Sequence, residues 1–185
     1  VAGFQSGLAT IDLETGDTDS FGAPESDLPG NRINDGKADA TGRLWVGTMD
    51  NAEMEPPGAL YRFDADRSEH RMDDGYVITN GPAFSPDGRT LYHTDTLKKT
   101  IYACDLAEDG ILSNRQVHLT IGDGEGWPDG MTVDAEGCLW VAHFGGWRVT
   151  RFTPTGVVDR VIEMPVGQNT NVAFGGPDLD VLYIT

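Results

Sequence analysis

The sequence predicts an all-β fold of the β-propeller class, and three observations carry that prediction. Asp39-Ala-Thr-Gly-Arg-Leu-Trp-Val-Gly-Thr48, Ser85-Pro-Asp-Gly-Arg-Thr-Leu-Tyr-His-Thr94 and Asp134-Ala-Glu-Gly-Cys-Leu-Trp-Val-Ala-His143 are three copies of one turn-plus-strand, with their glycines at Gly42, Gly88 and Gly137. The strand that follows repeats as well, as Leu8–Asp12, Leu60–Asp64, Ile101–Asp105 and Val149–Thr153. The 24 Gly and 10 Pro cut the chain into short runs of strand length. A period in the mid-forties with about four strands per period is the signature of a propeller blade.

Taken in order, residues 1–30 hold one strand over Leu8–Leu13, a turn at Glu14-Thr-Gly16, and a Pro- and Asp-rich stretch from Ala23 to Gly30. That stretch reads as a loop that delivers Arg32. The first repeat copy follows, then the second, each with its companion strand. Residues 126–152 give the most complete unit: a Pro-Asp-Gly start, Met131-Thr-Val133, a turn at Asp134–Gly137, Leu139–Ala142, a Gly145-Gly146 break, and Val149–Phe152. Alternating or continuous apolar runs between glycine turns make this a β-meander. A weaker fourth copy, Pro177–Thr185, ends the sequence.

The formal net charge of −17 argues against nucleic acid, whose phosphates need Lys and Arg. No run approaches the apolar length of a membrane span. Cys104 and Cys138 fall inside expected strands of different repeats, so buried thiols in a reducing, cytoplasmic compartment are expected.

One position of the repeat points to chemistry. Asn34-Asp-Gly36, Asn80-Gly81, Asp129-Gly130 and Asn171 all stand a few residues before the common turn. The first strand of a propeller blade is its innermost, so polar oxygens at this phase converge on one axis. Amide oxygens with one carboxylate suit Ca²⁺, Mg²⁺ or Mn²⁺, and a carboxylate also suits Zn²⁺. Asparagine beside glycine has a competing reading as a turn residue. Turn duty alone does not call for oxygen ligands at one phase of successive repeats. Asp39, Asp87 and Asp134 lie in the opposite turn and read as structural, and Trp45 and Trp140 read as packing between blades. His70 and His118 read as solvated, while His93 and His143 end equivalent strands. Trp127 is expected in the loop just before Pro128-Asp129, as an ordinary loop aromatic or as a cover for a bound ligand. Phosphate loops, serine elbows and Cys-x-x-Cys motifs are missing.

Asn31-Arg-Ile-Asn-Asp-Gly-Lys37, Thr79-Asn-Gly81 with Phe84-Ser-Pro-Asp-Gly88, Pro128-Asp-Gly-Met-Thr-Val-Asp134, and Phe174-Gly-Gly176 before Leu182-Tyr-Ile-Thr185 together resemble the SMP-30/gluconolactonase/regucalcin (LRE-like) family. The resemblance runs along nearly the whole sequence with its motifs in order. It implies a six-bladed propeller, of which roughly 270 to 300 residues would be needed, so that about four blades are covered and both ends are expected to be truncated. It implies hydrolysis of a sugar lactone with one divalent metal ion (Ca, Zn, Mn or Mg). Asn80 and Asp129 would be metal ligands, Asp129 also the catalytic base, and Arg32 and Asn34 would hold substrate hydroxyls. The family's acidic residue after Gly47-Thr-Met49 falls on either Asp50 or Glu53, and its first-blade Glu ligand has no counterpart in this sequence. The same scaffold leaves open a phosphotriesterase-like hydrolase of the diisopropylfluorophosphatase kind, or a non-catalytic Ca²⁺-binding propeller.

Overall fold

A computed structural model describes residues 1–55 and 57–185. Among them there is strand and turn but no helix, and hence none long and apolar enough to cross a membrane. The chain divides into two compact units, residues 1–79 and 80–185.

The first unit contains a three-stranded sheet of β1 (Ala2–Phe4), β2 (Gly7–Ile11) and β3 (Thr18–Gly22), and a four-stranded sheet of β4 (Asn31–Ala38), β5 (Leu44–Asp50), β6 (Gly58–Phe63) and β7 (Glu69–Tyr76). Neighbouring strands pair antiparallel in sequence order. Leu8 from the first sheet packs with Val46, Ala59, Tyr61 and Phe63 from the second, and Phe21 meets Phe63 edge-on at 5.7 Å.

The second unit repeats the plan. One sheet runs β8 (Thr79–Phe84), β9 (Thr90–Asp95), β10 (Thr100–Leu106) and β11 (Leu112–Thr120). The next runs β12 (Trp127–Val133), β13 (Leu139–Phe144), β14 (Arg148–Phe152) and β15 (Val158–Glu163). A two-stranded sheet follows, β16 (Val172–Gly175) with β17 (Val181–Ile184). Two cores stack these sheets face to face. Ala83, Tyr92, Ile101 and Leu119 meet Met131, Leu139, Val141 and Phe152, while Trp140, Ala142 and Val149 meet Val172, Phe174 and Leu182. Strand β13 therefore alternates between two cores, and all four of Leu139, Trp140, Val141 and Ala142 are buried. That is why its sequence is continuously apolar: a strand covered on both faces has no solvent side to mark with polar residues.

The likeness of the three turn copies has a physical cause. The buried Asp39 carboxylate accepts from the Thr41 and Arg43 backbones, Thr41 Oγ1, Arg43 Nε and, at 3.0 Å, Trp45 Nε1. Asp134 repeats the pattern with Glu136 N, Cys138 N, Trp140 Nε1 and Arg151 Nε. In the second copy serine replaces the aspartate and tyrosine the tryptophan, so both halves of the clasp are exchanged together; Ser85 Oγ instead accepts from Thr90 N and donates to Asp87. Burial would raise the Asp39 carboxyl, but donors from Trp45, Thr41 and Arg43 outweigh it and pull the pKa down to about 2. A carboxylate more acidic folded than unfolded stabilises fully above its unfolded value, near 3.9, and loses that contribution as pH falls towards its folded value. Asp39→Asn should therefore remove about 2 to 3 kcal/mol at neutral pH and almost nothing at about pH 2, so urea midpoints of the two proteins should converge on acidification. Parallel midpoint curves would show that the clasp is not ionic.

Residues 23–30 form the connection between β3 and β4, as expected, and Arg32 is the second residue of β4. One expectation is corrected. His118 is not solvated: it is half-buried, its ring lies 5.0 Å from that of Tyr92 at a tilt of 56°, and burial lowers its pKa. Cys104 and Cys138 are both buried, as expected.

Candidate active site

Of the residues singled out at one phase of the repeat, Asn34, Asn80 and Asp129 lie on the first strand of their sheets and Asn171 immediately precedes β16; the ladder is irregular at Asn34 and at Asp129. In β4 the register shifts between Ile33 and Asp35, so Asn34 sits in a bulge opposite β5. In β12 it shifts between Pro128 and Met131, so the bulge holds Asp129 and Gly130. A bulge re-aims a side chain out of the regular alternation, which is how a strand buried in a sheet can offer a polar group to a site. In β8, Gly81 next to Asn80 takes a φ of +79°, open to glycine at little cost.

In the first unit the geometry couples Arg32 to Asn34. Asn34 Nδ2 donates to the Thr79 carbonyl at 2.7 Å, which leaves Oδ1 to accept from Arg32 Nη1 at 2.8 Å; Nη1 also donates to the Ile33 carbonyl at 3.0 Å. A cavity of ≈ 170 Å³ borders Arg32, with Glu25 and Asn31 in its wall. Glu25 was not anticipated. It accepts from Asn31 Nδ2 at 2.7 Å and from the Tyr61 hydroxyl at 3.1 Å, and burial together with the Glu25 charge raises the Tyr61 pKa. Asp50 spends its carboxylate on the backbone N–H groups of Ala52, Met54 and Glu55, shaping the loop after β5. Those bonds lower its pKa. Glu53 stands exposed on that loop with φ at +56°.

In the second unit Asn80 is buried and Asp129 half-buried. Thr96, immediately after β9, links the strands that carry them: Asn80 Nδ2 donates to Thr96 Oγ1 at 2.9 Å, and Thr96 Oγ1 donates to the Pro128 carbonyl at 2.9 Å. On the other side of the bulge Gly130 N–H donates to the Thr170 carbonyl at 2.8 Å. A Cβ at residue 130 would collide with Asn171 and with that carbonyl, so only glycine admits the approach. Asn80, Asp129 and Asn171 are thus carried by adjoining segments of consecutive sheets. Trp127 is partly exposed, lies beside Gly145, and has Lys99 Nζ 5.7 Å from its ring. His143 is buried, with Nδ1 2.8 Å from the Glu125 carbonyl, and burial lowers its pKa, so it packs inside the blade and does not line an open mouth.

A carboxylate (Asp129) and an amide oxygen (Asn80) are hard oxygen donors of the type a divalent cation takes. Among the described residues no group of three or more His, Cys, Asp or Glu side chains is placed to hold a metal ion.

The family model for the SMP-30/Gluconolactonase/LRE-like region matches residues 1–185. The chain belongs to that family. It is 43% identical over 155 residues to a 6-deoxy-6-sulfogluconolactonase of Pseudomonas putida, covering 83% of this chain and 53% of that protein. It is 35% identical over 189 residues to an L-arabinolactonase of Azospirillum brasilense, covering 100% and 62%. Among solved structures, a calcium-binding regucalcin of Agrobacterium tumefaciens superposes with a TM-score of 0.93 at 34% identity, covering 100% of this chain and 62% of that one. The family member is accordingly a β-propeller, and it spans little more than half the length of these curated relatives.

Proposed function

We propose that the protein hydrolyses a sugar lactone with the help of one divalent cation held by Asn80 and Asp129. The observation that carries this reading is the Thr96 hydroxyl, which ties Asn80 to the residue preceding Asp129; the lactonase names of the two relatives supply the reaction class. A bound cation would polarise the lactone carbonyl as a Lewis acid. Asp129 takes a proton from the attacking water, whose oxygen bonds to the carbonyl carbon. The ring C–O bond then breaks, and the proton returns to the leaving ring oxygen to give the open hydroxy acid. Arg32 and Asn34, already paired, bind sugar hydroxyls before the reaction. Glu53, exposed on the loop that Asp50 shapes, contributes to substrate choice. The buried thiols support a reducing compartment.

The test compares ring opening of aldonolactones with hydrolysis of an organophosphate triester, before and after chelation and with Ca²⁺, Zn²⁺, Mn²⁺ or Mg²⁺ restored. Lactone hydrolysis that needs the added ion supports the reading; faster triester cleavage overturns it. Arg32→Ala is expected mainly to raise KM and to leave kcat nearly unchanged, since it removes binding already present in the ground state. Steady-state kinetics on one lactone check this, and a fall in kcat at constant KM would move Arg32 into the chemical step.

A further inference from the structure

We propose that Thr96 is a positioning residue that decides which atom Asn80 presents to the cation. This rests on the reading of Asn80 as a metal ligand. An asparagine amide has two ends of nearly equal shape, one a donor and one an acceptor, and only the oxygen can bind a metal ion. Burial does not choose between them; a fixed neighbour must.

Thr96 is such a neighbour because its own hydroxyl has no freedom left. The Pro128 carbonyl is an acceptor only, so the hydroxyl proton goes to it, at 2.9 Å. Thr96 Oγ1 can then only accept from Asn80, which must turn Nδ2 towards it, also at 2.9 Å. The amide oxygen is left on the opposite branch. Thr96 and Asn80 are 7% and 5% exposed, so water does not readily replace either bond. The same bond to the peptide that leads into Asp129 is what fixes the direction of the hydroxyl while it orients Asn80. Residues that orient metal ligands in this way typically matter 10- to 100-fold in affinity when removed. Nothing in the repeat pattern marks Thr96, because its role depends on an acceptor from the next sheet.

The experiment measures Ca²⁺ affinity by calorimetry on chelator-treated protein for wild type, Thr96→Val, Thr96→Ser and Asn80→Ala, with circular dichroism confirming the fold of each. Thr96→Val should bind about 10- to 100-fold more weakly, while Thr96→Ser, which keeps the hydroxyl, should stay within about twofold of wild type. If Thr96→Val does not fold, Thr96→Ala removes the same hydroxyl and is read in the same way. A structural role alone is separated by repeating the change in an Asn80→Asp background, where both branches are oxygens and orientation no longer matters. There the loss should shrink to about twofold. An equal loss in both backgrounds overturns the positioning role, as does wild-type affinity in Thr96→Val when Asn80→Ala binds weakly. If Asn80→Ala itself binds like wild type, the ligand assignment falls and the positioning role falls with it.

Discussion

Asp129→Asn is expected to lower lactone turnover by about 10²- to 10⁴-fold, the usual consequence of removing a general base. The substitution keeps the shape of the side chain, so the bulge that holds residue 129, pinned by the Gly130–Thr170 hydrogen bond, should survive. What it removes is the charge. With Asn80 neutral, Asp129 is the one carboxylate in the proposed donor set, so cation affinity should fall as well, and raising the metal concentration should recover only part of the rate. Asp87→Asn is the control. Asp87 sits in the turn between β8 and β9, bonded to Ser85 Oγ at 2.6 Å and Arg89 N at 3.1 Å, and its loss should leave turnover within a few-fold. Rates measured under saturating metal check both, and wild-type turnover in Asp129→Asn would refute the assignment.

Trp140→Ala is expected to cost about 3 to 5 kcal/mol of stability, at the upper end for a single core truncation. Trp140 fills the space between the β12–β15 sheet and the β16–β17 sheet, edge-on to Phe174 at 6.0 Å, with the Arg151 guanidinium 5.8 Å from its ring. Its indole N–H also donates to Asp134 at 2.8 Å, so truncation leaves a cavity and strips a donor from the turn clasp. Trp140→Phe keeps much of the volume and loses only the donor, and should cost about 1 to 2 kcal/mol. Denaturant unfolding of the three proteins gives the comparison. Equal losses for the two variants would place the energy in the hydrogen bond and not in the packing.

Legibility followed burial. The second strands β5, β9 and β13 announced themselves because they are buried on both faces and share one turn-plus-strand pattern, most plainly in the apolar Leu139–Ala142. The outermost strands β7, β11 and β15 were not placed in sequence; Leu112–Thr120 and Val158–Glu163 are largely exposed and so carry almost no periodic signal. The candidate site was legible as a phase in the repeat, Asn34, Asn80 and Asp129, but not as a geometry. Polar residues crowd Asn31–Ala38, so the residue at which the loop ends and β4 begins did not show in the sequence. The bulges at Asn34 and Asp129 left no mark, since a one-residue register shift is a relation between two strands. The Asp39–Trp45 and Asp134–Trp140 clasps were visible as repeated letters, yet their meaning needed the indole N–H to be seen on the carboxylate.

The proposed sharing of one cation by Asn80 and Asp129 is measured most directly by an anomalous-difference map from crystals grown with Ca²⁺, at a wavelength where calcium scatters anomalously. The expected result is a single strong peak about 2.3 to 2.6 Å from both Asn80 Oδ1 and an Asp129 carboxylate oxygen. A calcium peak away from both residues, in protein that hydrolyses lactone with that ion bound, would contradict it.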